Sequence, residues 1–428
     1  MSFETMSLAQ AREKDAADGL RHLRDAFFIP KVNGKPSFYF CGNSLGLQAR
    51  KTAGYIQKEL DRWQELGVEG HMLGDEPWMH YHHLLKEPLA KIVGALPSEV
   101  CAMGSLTANI HHLFASFYRP DTSRFKIIAE AKAFSSDQYL LESQIKMHGF
   151  DPADALIELN PRDGEYTLRT EDIVQAIAEA GDSLALVFIG GLQYYTGQFF
   201  DVATITRAAH EAGAYAGFDM AHAAGNYPMQ LHDWGPDFAA WCGYKYLNAG
   251  PGGVAGIFVH ERHGEAADLP RNAGWWGHRE DVRFQMEKGF VPMKGADGWQ
   301  LSNAPVINMA ILRASLDLFE KAGGMAPLRR KSLELTGLLE SLLKEIEGYR
   351  DIFRILTPEA PEARGCQLSL AFTAYGKACF DHITSAGVIA DWREPDVIRV
   401  APVPLYNTFE DVYQLAALLQ EAIAKVRA

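Results

Sequence analysis

The segment Ala214-Tyr-Ala-Gly-Phe-Asp219 is an apolar run that ends in a carboxylate. Lys245 follows 26 residues later, in Trp241-Cys-Gly-Tyr-Lys-Tyr-Leu-Asn248, and the glycines of Ala249-Gly-Pro-Gly-Gly-Val254 come next. A strand, a helix-length gap and a second strand predict a parallel α/β sheet with Asp219 at the carboxyl end of a buried strand. Ligand crevices form at that end of such sheets. Lys245 is flanked by Trp, Cys, Tyr and Leu, unlike an ordinary surface lysine. The pair suits pyridoxal phosphate: the lysine amine forms an imine with the aldehyde, and the carboxylate keeps the pyridine nitrogen protonated so that the ring accepts electrons. Taken alone, Asp219 could equally cap a strand-to-helix turn.

The flanking chain reads as more α/β. Apolar runs at Lys126–Ala129, Ser183–Ile189, Ala214–Phe218, Phe238–Cys242 and Val254–Val259 predict strands, the last pairing antiparallel. Helices are expected at Ser136–Met147 and Val202–Ala212. After Ile307 the pattern changes to long amphipathic helices (Ile307–Lys321, Leu328–Glu347, Phe409–Val426) with strands near Gln367–Phe372, Val388–Asp391 and Val397–Val400. A helix is also expected over Leu8–Ala26. The expected division is a large cofactor-binding domain over residues 46–324 and a smaller α+β domain from 1–45 with 325–428.

With 428 residues, 47% of them hydrophobic, the chain can bury a large core. A net charge of −13 argues against a nucleic-acid or anionic-membrane partner. The five cysteines (Cys41, Cys101, Cys242, Cys366, Cys379) show no metal or redox spacing, and no apolar run is long enough to span a membrane. The first twenty residues mix charges and do not read as a secretory leader. A cytoplasmic protein acting on a small molecule is the expectation.

Other segments complete a site. Met103-Gly-Ser-Leu-Thr-Ala-Asn109 precedes a helical run and offers amides and hydroxyls to a phosphate, with Thr107 as plain N-cap, phosphate ligand or both. In Phe134-Ser-Ser-Asp137 the aromatic can stack on a ring, and the carboxylate can accept a hydrogen bond. His222 could orient Asp219, contact the phosphate or sit as a core histidine. Arg399, between Ile398 and Val400, has the planar fork that suits a carboxylate. The histidines at 71, 80, 82 and 83 lie on a Trp/Met-rich stretch without ligand-patterned carboxylates or cysteines, so no metal is expected.

Six segments in order carry a resemblance: Phe40-Cys-Gly-Asn-Ser-Leu-Gly-Leu-Gln48, Gly190-Gly-Leu-Gln-Tyr-Tyr-Thr-Gly-Gln198, His232-Asp-Trp-Gly-Pro-Asp237, Gly243-Tyr-Lys-Tyr-Leu-Asn-Ala249, Gly274-Trp-Trp-Gly-His278 and Ile398-Arg-Val-Ala-Pro-Val-Pro-Leu-Tyr-Asn407. Together they resemble the kynureninases, fold-type I pyridoxal-phosphate enzymes of the aspartate-aminotransferase-like superfamily. These hydrolyse L-kynurenine or its 3-hydroxy form to anthranilate or 3-hydroxyanthranilate and L-alanine, in tryptophan catabolism and pyridine-nucleotide biosynthesis. The resemblance implies Lys245 as Schiff-base lysine and later as base, Asp219 on the pyridine nitrogen, and Leu106 and Thr107 on the phosphate. It also implies Phe134 on the ring, with Asp137, His222 and Tyr244 completing the cofactor shell. It implies a homodimer with sites at the subunit interface, Trp275 and Asn303 coming from the neighbour. Arg399 would grip the substrate carboxylate, and Tyr244 either relays a proton or only packs on the cofactor. Ser44, His71, Ser302 and Asn303 are the further candidate substrate groups, and Trp63, Trp78, Trp275 and Trp276 candidate walls of an aryl pocket. Gly190 departs from the serine that some relatives carry there.

An aminotransferase or a cysteine desulfurase is the alternative within the cofactor class. A desulfurase would need Cys366 as a mobile thiol, yet the apolar run after it predicts burial. A non-catalytic cofactor-binding or scaffold protein would require Lys245 to be idle.

Overall fold

A computed structural model describes residues 3–266 and 268–427, which fall into two compact units. The larger comprises Thr52–Tyr194 and Phe200–Leu316. The smaller comprises the chain up to Lys51, the short segment Tyr195–Phe199, and the chain from Asp317 onward.

The larger unit is built on seven strands: β1 (Val100–Ala102), β2 (Lys126–Glu130), β3 (Leu156–Leu159), β4 (Leu184–Gly190), β5 (Tyr215–Asp219), β6 (Phe238–Trp241) and β7 (Gly256–Val259). Their order across the sheet is β1-β7-β6-β5-β4-β2-β3. Strands β2 to β6 pair parallel, and β7 is antiparallel to β6 and β1. The central strands β4 and β5 are buried almost throughout, which is why they read as unbroken apolar runs rather than alternating ones. Helix α1 (Leu106–Phe117) buries Ile110, Leu113, Phe114 and Phe117, one face of a 3.6-residue repeat. Phe117 stacks on Phe238 with centroids 4.9 Å apart. Gly217 makes room for the Phe238 ring, because a Cβ there would lie 2.1 Å from it. Helix α2 (Ser135–Met147) follows β2.

The smaller unit has a four-stranded antiparallel sheet of β8 (Phe353–Ile355), β9 (Leu368–Phe372), β10 (Asp391–Arg393) and β11 (Val397–Val400), in the order β8-β9-β11-β10. The helices Met325–Glu345 and Phe409–Arg427 join it through a core that includes Leu335, Leu339, Leu342, Phe372, Val412 and Leu419.

The expected strands and helices form, with three differences. The helix expected over Leu8–Ala26 stops at Ala17 and resumes as a 3-10 turn at Arg21–Ala26, since Asp18 leaves the helical region and its side chain accepts from Leu20 N. The strand expected over Val388–Asp391 is two: Val388–Ile389 pairs parallel with Phe38–Tyr39, while Asp391 opens β10. Strands β1, β3 and β8, three, four and three residues long, are not among the expected strands. No helix among the described residues is long and apolar enough to cross a membrane.

Candidate active site

Strand β5 ends on Asp219, whose register partners are Gly190 on β4 and Ala240 on β6. Beyond these strand ends lies a cavity of about 180 Å³ that takes in Leu106, Thr107, Phe134, Asp137, Asp219, His222, Tyr244 and Lys245. Eight residues expected from the sequence to form one shell thus share one wall. They come from the start of α1, the start of α2, the turn after β5 and the loop after β6.

Lys245 is buried, and its Nζ lies 2.8 Å from Nε2 of His222 and 5.8 Å from the centroid of Phe134. The Phe134 ring stands edge-on to Tyr194, centroids 5.3 Å apart. Phe134 is 41% exposed and lines the cavity, which leaves surface for a second ring. Asp219 Oδ1 accepts from the Ala221 amide at 2.7 Å. Asp137 hydrogen-bonds Asp219. Burial and then the Asp219 charge push the Asp137 carboxyl well above its ordinary value, so Asp137 is the protonated donor. Burial also raises Asp219, against the pull of Lys245, the Ala221 amide and the Asp137 bond. Tyr244 is raised by burial first and by Cys242 next, which keeps its phenol protonated.

Ser105 is the N-cap of α1 but makes no side-chain capping bond, which leaves the first-turn amides facing the cavity without a cap. Thr107 Oγ1 and Ser136 Oγ, 2.6 Å apart, stand beside them. Amides at a helix start with two hydroxyls form a phosphate cradle. A ring stacker, a strand-end carboxylate and a buried lysine complete a set that fits pyridoxal phosphate.

Arg399 lies on β11 in the smaller unit, with no exposed surface. It ion-pairs with Asp391 at the start of β10, and its Nη2 lies 3.4 Å from Ser44 Oγ. Ser44 in turn donates to Asp391 Oδ2 at 2.6 Å, and Arg393 donates to the same oxygen at 3.1 Å. Two sequence-expected substrate groups, Arg399 and Ser44, therefore meet on one carboxylate. Burial would raise Asp391, but Arg399, Ser44 and Arg393 together hold it below its ordinary value.

Residues 328–419 match the family described as the kynureninase C-terminal domain. The chain is 52% identical over 414 residues to a kynureninase of Flavobacterium johnsoniae, an overlap of 96% of this chain and 97% of that one. It is 55% identical over 412 residues to a kynureninase of Myxococcus xanthus, 96% of each. The chain belongs to the kynureninase family. Its fold also matches the cysteine desulfurase CsdA of Escherichia coli, with a TM-score of 0.74 and 18% identity over 95% of this chain and 99% of that one. The cystine C–S lyase C-DES, in complex with its product cysteine persulfide, gives 0.73 and 17% over 90% and 97%. At these identities the match speaks for the fold: the fold-type I architecture expected from the resemblance.

The remaining expected residues of this kynureninase-family chain lie outside the Lys245 cavity. Trp275 is 41% exposed and lines a separate pocket of about 330 Å³ with His278, Arg283 and Phe290. Ser302 and Asn303 are exposed in the loop before the helix Val306–Lys321. His71 is half-buried, its ring edge-on to Trp78 at 5.2 Å and its Nδ1 3.1 Å from the Val68 carbonyl. Of the four tryptophans named as aryl walls, none borders the cavity. Trp276 is buried, Trp63 is exposed and Trp78 donates to Glu59. Cys366 is buried, as its sequence neighbours predict.

The histidine stretch gains carboxylates that its own sequence lacks. Glu280 approaches His80 and His83, and Asp297 approaches His82 and His83. Lys86 pairs with Asp297, and His82 is kept neutral by burial and then His83, its value pushed down to about 2. Sequence reasoning missed three polar cavity groups: Ser136, whose hydroxyl faces Thr107, Tyr194, which stands against Phe134, and Glu130, the last residue of β2. Ser136 lies inside a segment already singled out. Glu130 gave no signal beyond being a polar residue at a strand end.

Proposed function

We propose that the chain hydrolyses the Cβ–Cγ bond of L-kynurenine, its 3-hydroxy form or both, to anthranilate or 3-hydroxyanthranilate and L-alanine, with pyridoxal phosphate in the Asp219–Lys245 cavity. The observation that carries this is near-full-length identity of about one half to kynureninases, in a chain whose cavity holds the lysine, the strand-end carboxylate and the phosphate cradle together.

Pyridoxal phosphate, when bound, supplies an electron sink for a substrate carbanion. The chain's residues do the rest. Asp219, anchored by the Ala221 amide and the Asp137 donor, stands as the anion for the ring nitrogen. The amides of the α1 start, with Thr107 and Ser136, hold the phosphate, while Phe134 covers the ring face. Lys245 is the attachment point and then the base at the substrate α-carbon, with His222 fixing its amine between roles. Tyr244, with its phenol kept protonated, is the group that can return a proton during carbon–carbon cleavage. Arg399, preset by Asp391 and Ser44, takes the substrate α-carboxylate as a planar two-point donor. His71, Ser302 and Asn303 are the proposed polar contacts to the aryl group.

A homodimer is part of the proposal. Trp275 and Asn303 are exposed and border no part of their own cavity, as residues donated to a neighbour's site would. We place the enzyme in the cytoplasm, in tryptophan catabolism leading towards pyridine-nucleotide biosynthesis. Incubation of cofactor-loaded protein with L-kynurenine, without an oxo acid, should release fluorescent anthranilate continuously. A single turnover that stops until an oxo acid is added would favour amino transfer instead.

A further inference from the structure

Glu130 closes β2 beside Asp219, Asp137 and Lys245 in the cavity, yet the site as described gives it no task. It is 5% exposed, and its Oε2 has no hydrogen-bond partner among the described residues. Across the cavity wall, a Cβ at Gly190 would lie 3.2 Å from Glu130 Oε1, so the carboxyl occupies room that a side chain at position 190 would contest. Three carboxyls, of Glu130, Asp137 and Asp219, thus line one cavity. Asp219 has an amide, a donor acid and Lys245 to support its charge, whereas no group among the described residues supports a charge on Glu130. Burial first and Asp219 second push Glu130 up to about 8, which leaves it a neutral acid with one O–H to give.

We propose that Glu130 is a further cofactor-binding residue, its carboxyl donating a hydrogen bond to the 3-oxygen that the ring of bound pyridoxal phosphate carries, from the wall that Gly190 leaves open. The inference rests on the reading that this cavity holds pyridoxal phosphate. The titratable groups that line the cavity with Glu130 are Asp219, Asp137, His222, Tyr194, Tyr244 and Lys245, and the charge of Asp219 acts on it directly. Because several of them also titrate, the test compares variants rather than one pH profile.

Two variants separate the charge from the donor: Glu130→Gln keeps a donor and cannot ionise, and Glu130→Leu keeps the volume alone. The first readout is melting temperature of cofactor-free protein from pH 5 to 9. The acid's folded value lies above its unfolded one, so the native state holds the extra proton between them, and wild-type stability falls with pH across that window. Glu130→Gln should therefore gain on wild type from pH 5 to about 8 and hold a constant lead above it. The second readout is pyridoxal-phosphate affinity by fluorescence titration. Glu130→Leu should bind roughly tenfold more weakly at pH 7, and wild type should approach that weakness above pH 8 while Glu130→Gln does not. Parallel melting profiles, or equal affinities in all three proteins, would overturn the inference. Failure of wild type to bind pyridoxal phosphate at any pH would instead overturn the reading of the cavity itself.

Discussion

Asp391→Asn isolates the carboxylate on which Arg399 rests. In the native chain the guanidinium has 1% of its side-chain surface exposed and the carboxylate 13%. Asparagine keeps the shape and removes the charge, so Arg399 stays buried with a neutral neighbour. Breaking one side of a buried ion pair costs about 3–5 kcal/mol, and the residual exposure of Asp391 places this case at the lower end, about 3 kcal/mol. For a unit of this size, at about 2 °C per kcal/mol, the melting transition should drop by roughly 6 °C. The pH dependence has a definite sign. Asp391 titrates below its ordinary 3.8 in the folded chain, so its contribution is complete above that pH and is lost as pH falls through the folded value. Calorimetry at pH 7 and again near pH 3 should show a large gap between wild type and variant that narrows in acid. A variant that melts within a degree of wild type at pH 7, or a gap that stays constant in acid, would refute the reasoning.

Two further outcomes follow from the geometry. Gly217→Ala forces a methyl to 2.1 Å from the Phe238 ring in the stack under β5, and urea unfolding should report a loss of about 2–3 kcal/mol; an unchanged midpoint would contradict the packing. Arg399→Lys keeps the charge but loses the planar fork, so kcat/KM for L-kynurenine should fall roughly tenfold to a hundredfold, mainly through KM. Unchanged kinetics in a folded variant would remove Arg399 from substrate binding.

Much of the fold was legible because it rests on long uniform patterns. Strands β4 and β5 are buried on both faces and therefore read as plain apolar runs, which also put Asp219 at a crevice. The eight cavity residues were legible because their segments sit at strand ends and helix starts, where sequence marks a boundary. What stayed hidden depends on long-range pairing. The His222–Lys245 contact joins residues 23 apart, and Asp391 could not be paired with Arg399 while Val388–Asp391 read as one strand. Glu130 was hidden for another reason. A single acid after an apolar run looks like any strand end, and only the gathering of three carboxyls on one cavity marks it out.

The central claim is hydrolytic cleavage of an aryl ketone beside the Lys245–Asp219 pair. Incubation of cofactor-loaded protein with L-kynurenine in ¹⁸O-labelled water, with both products analysed by mass spectrometry, tests it most directly. The account predicts anthranilate carrying one ¹⁸O in its carboxylate, an equal amount of unlabelled L-alanine, and no products from Lys245→Ala. Failure of the wild-type protein to release anthranilate, or release of anthranilate without the label under conditions that exclude exchange, would contradict it.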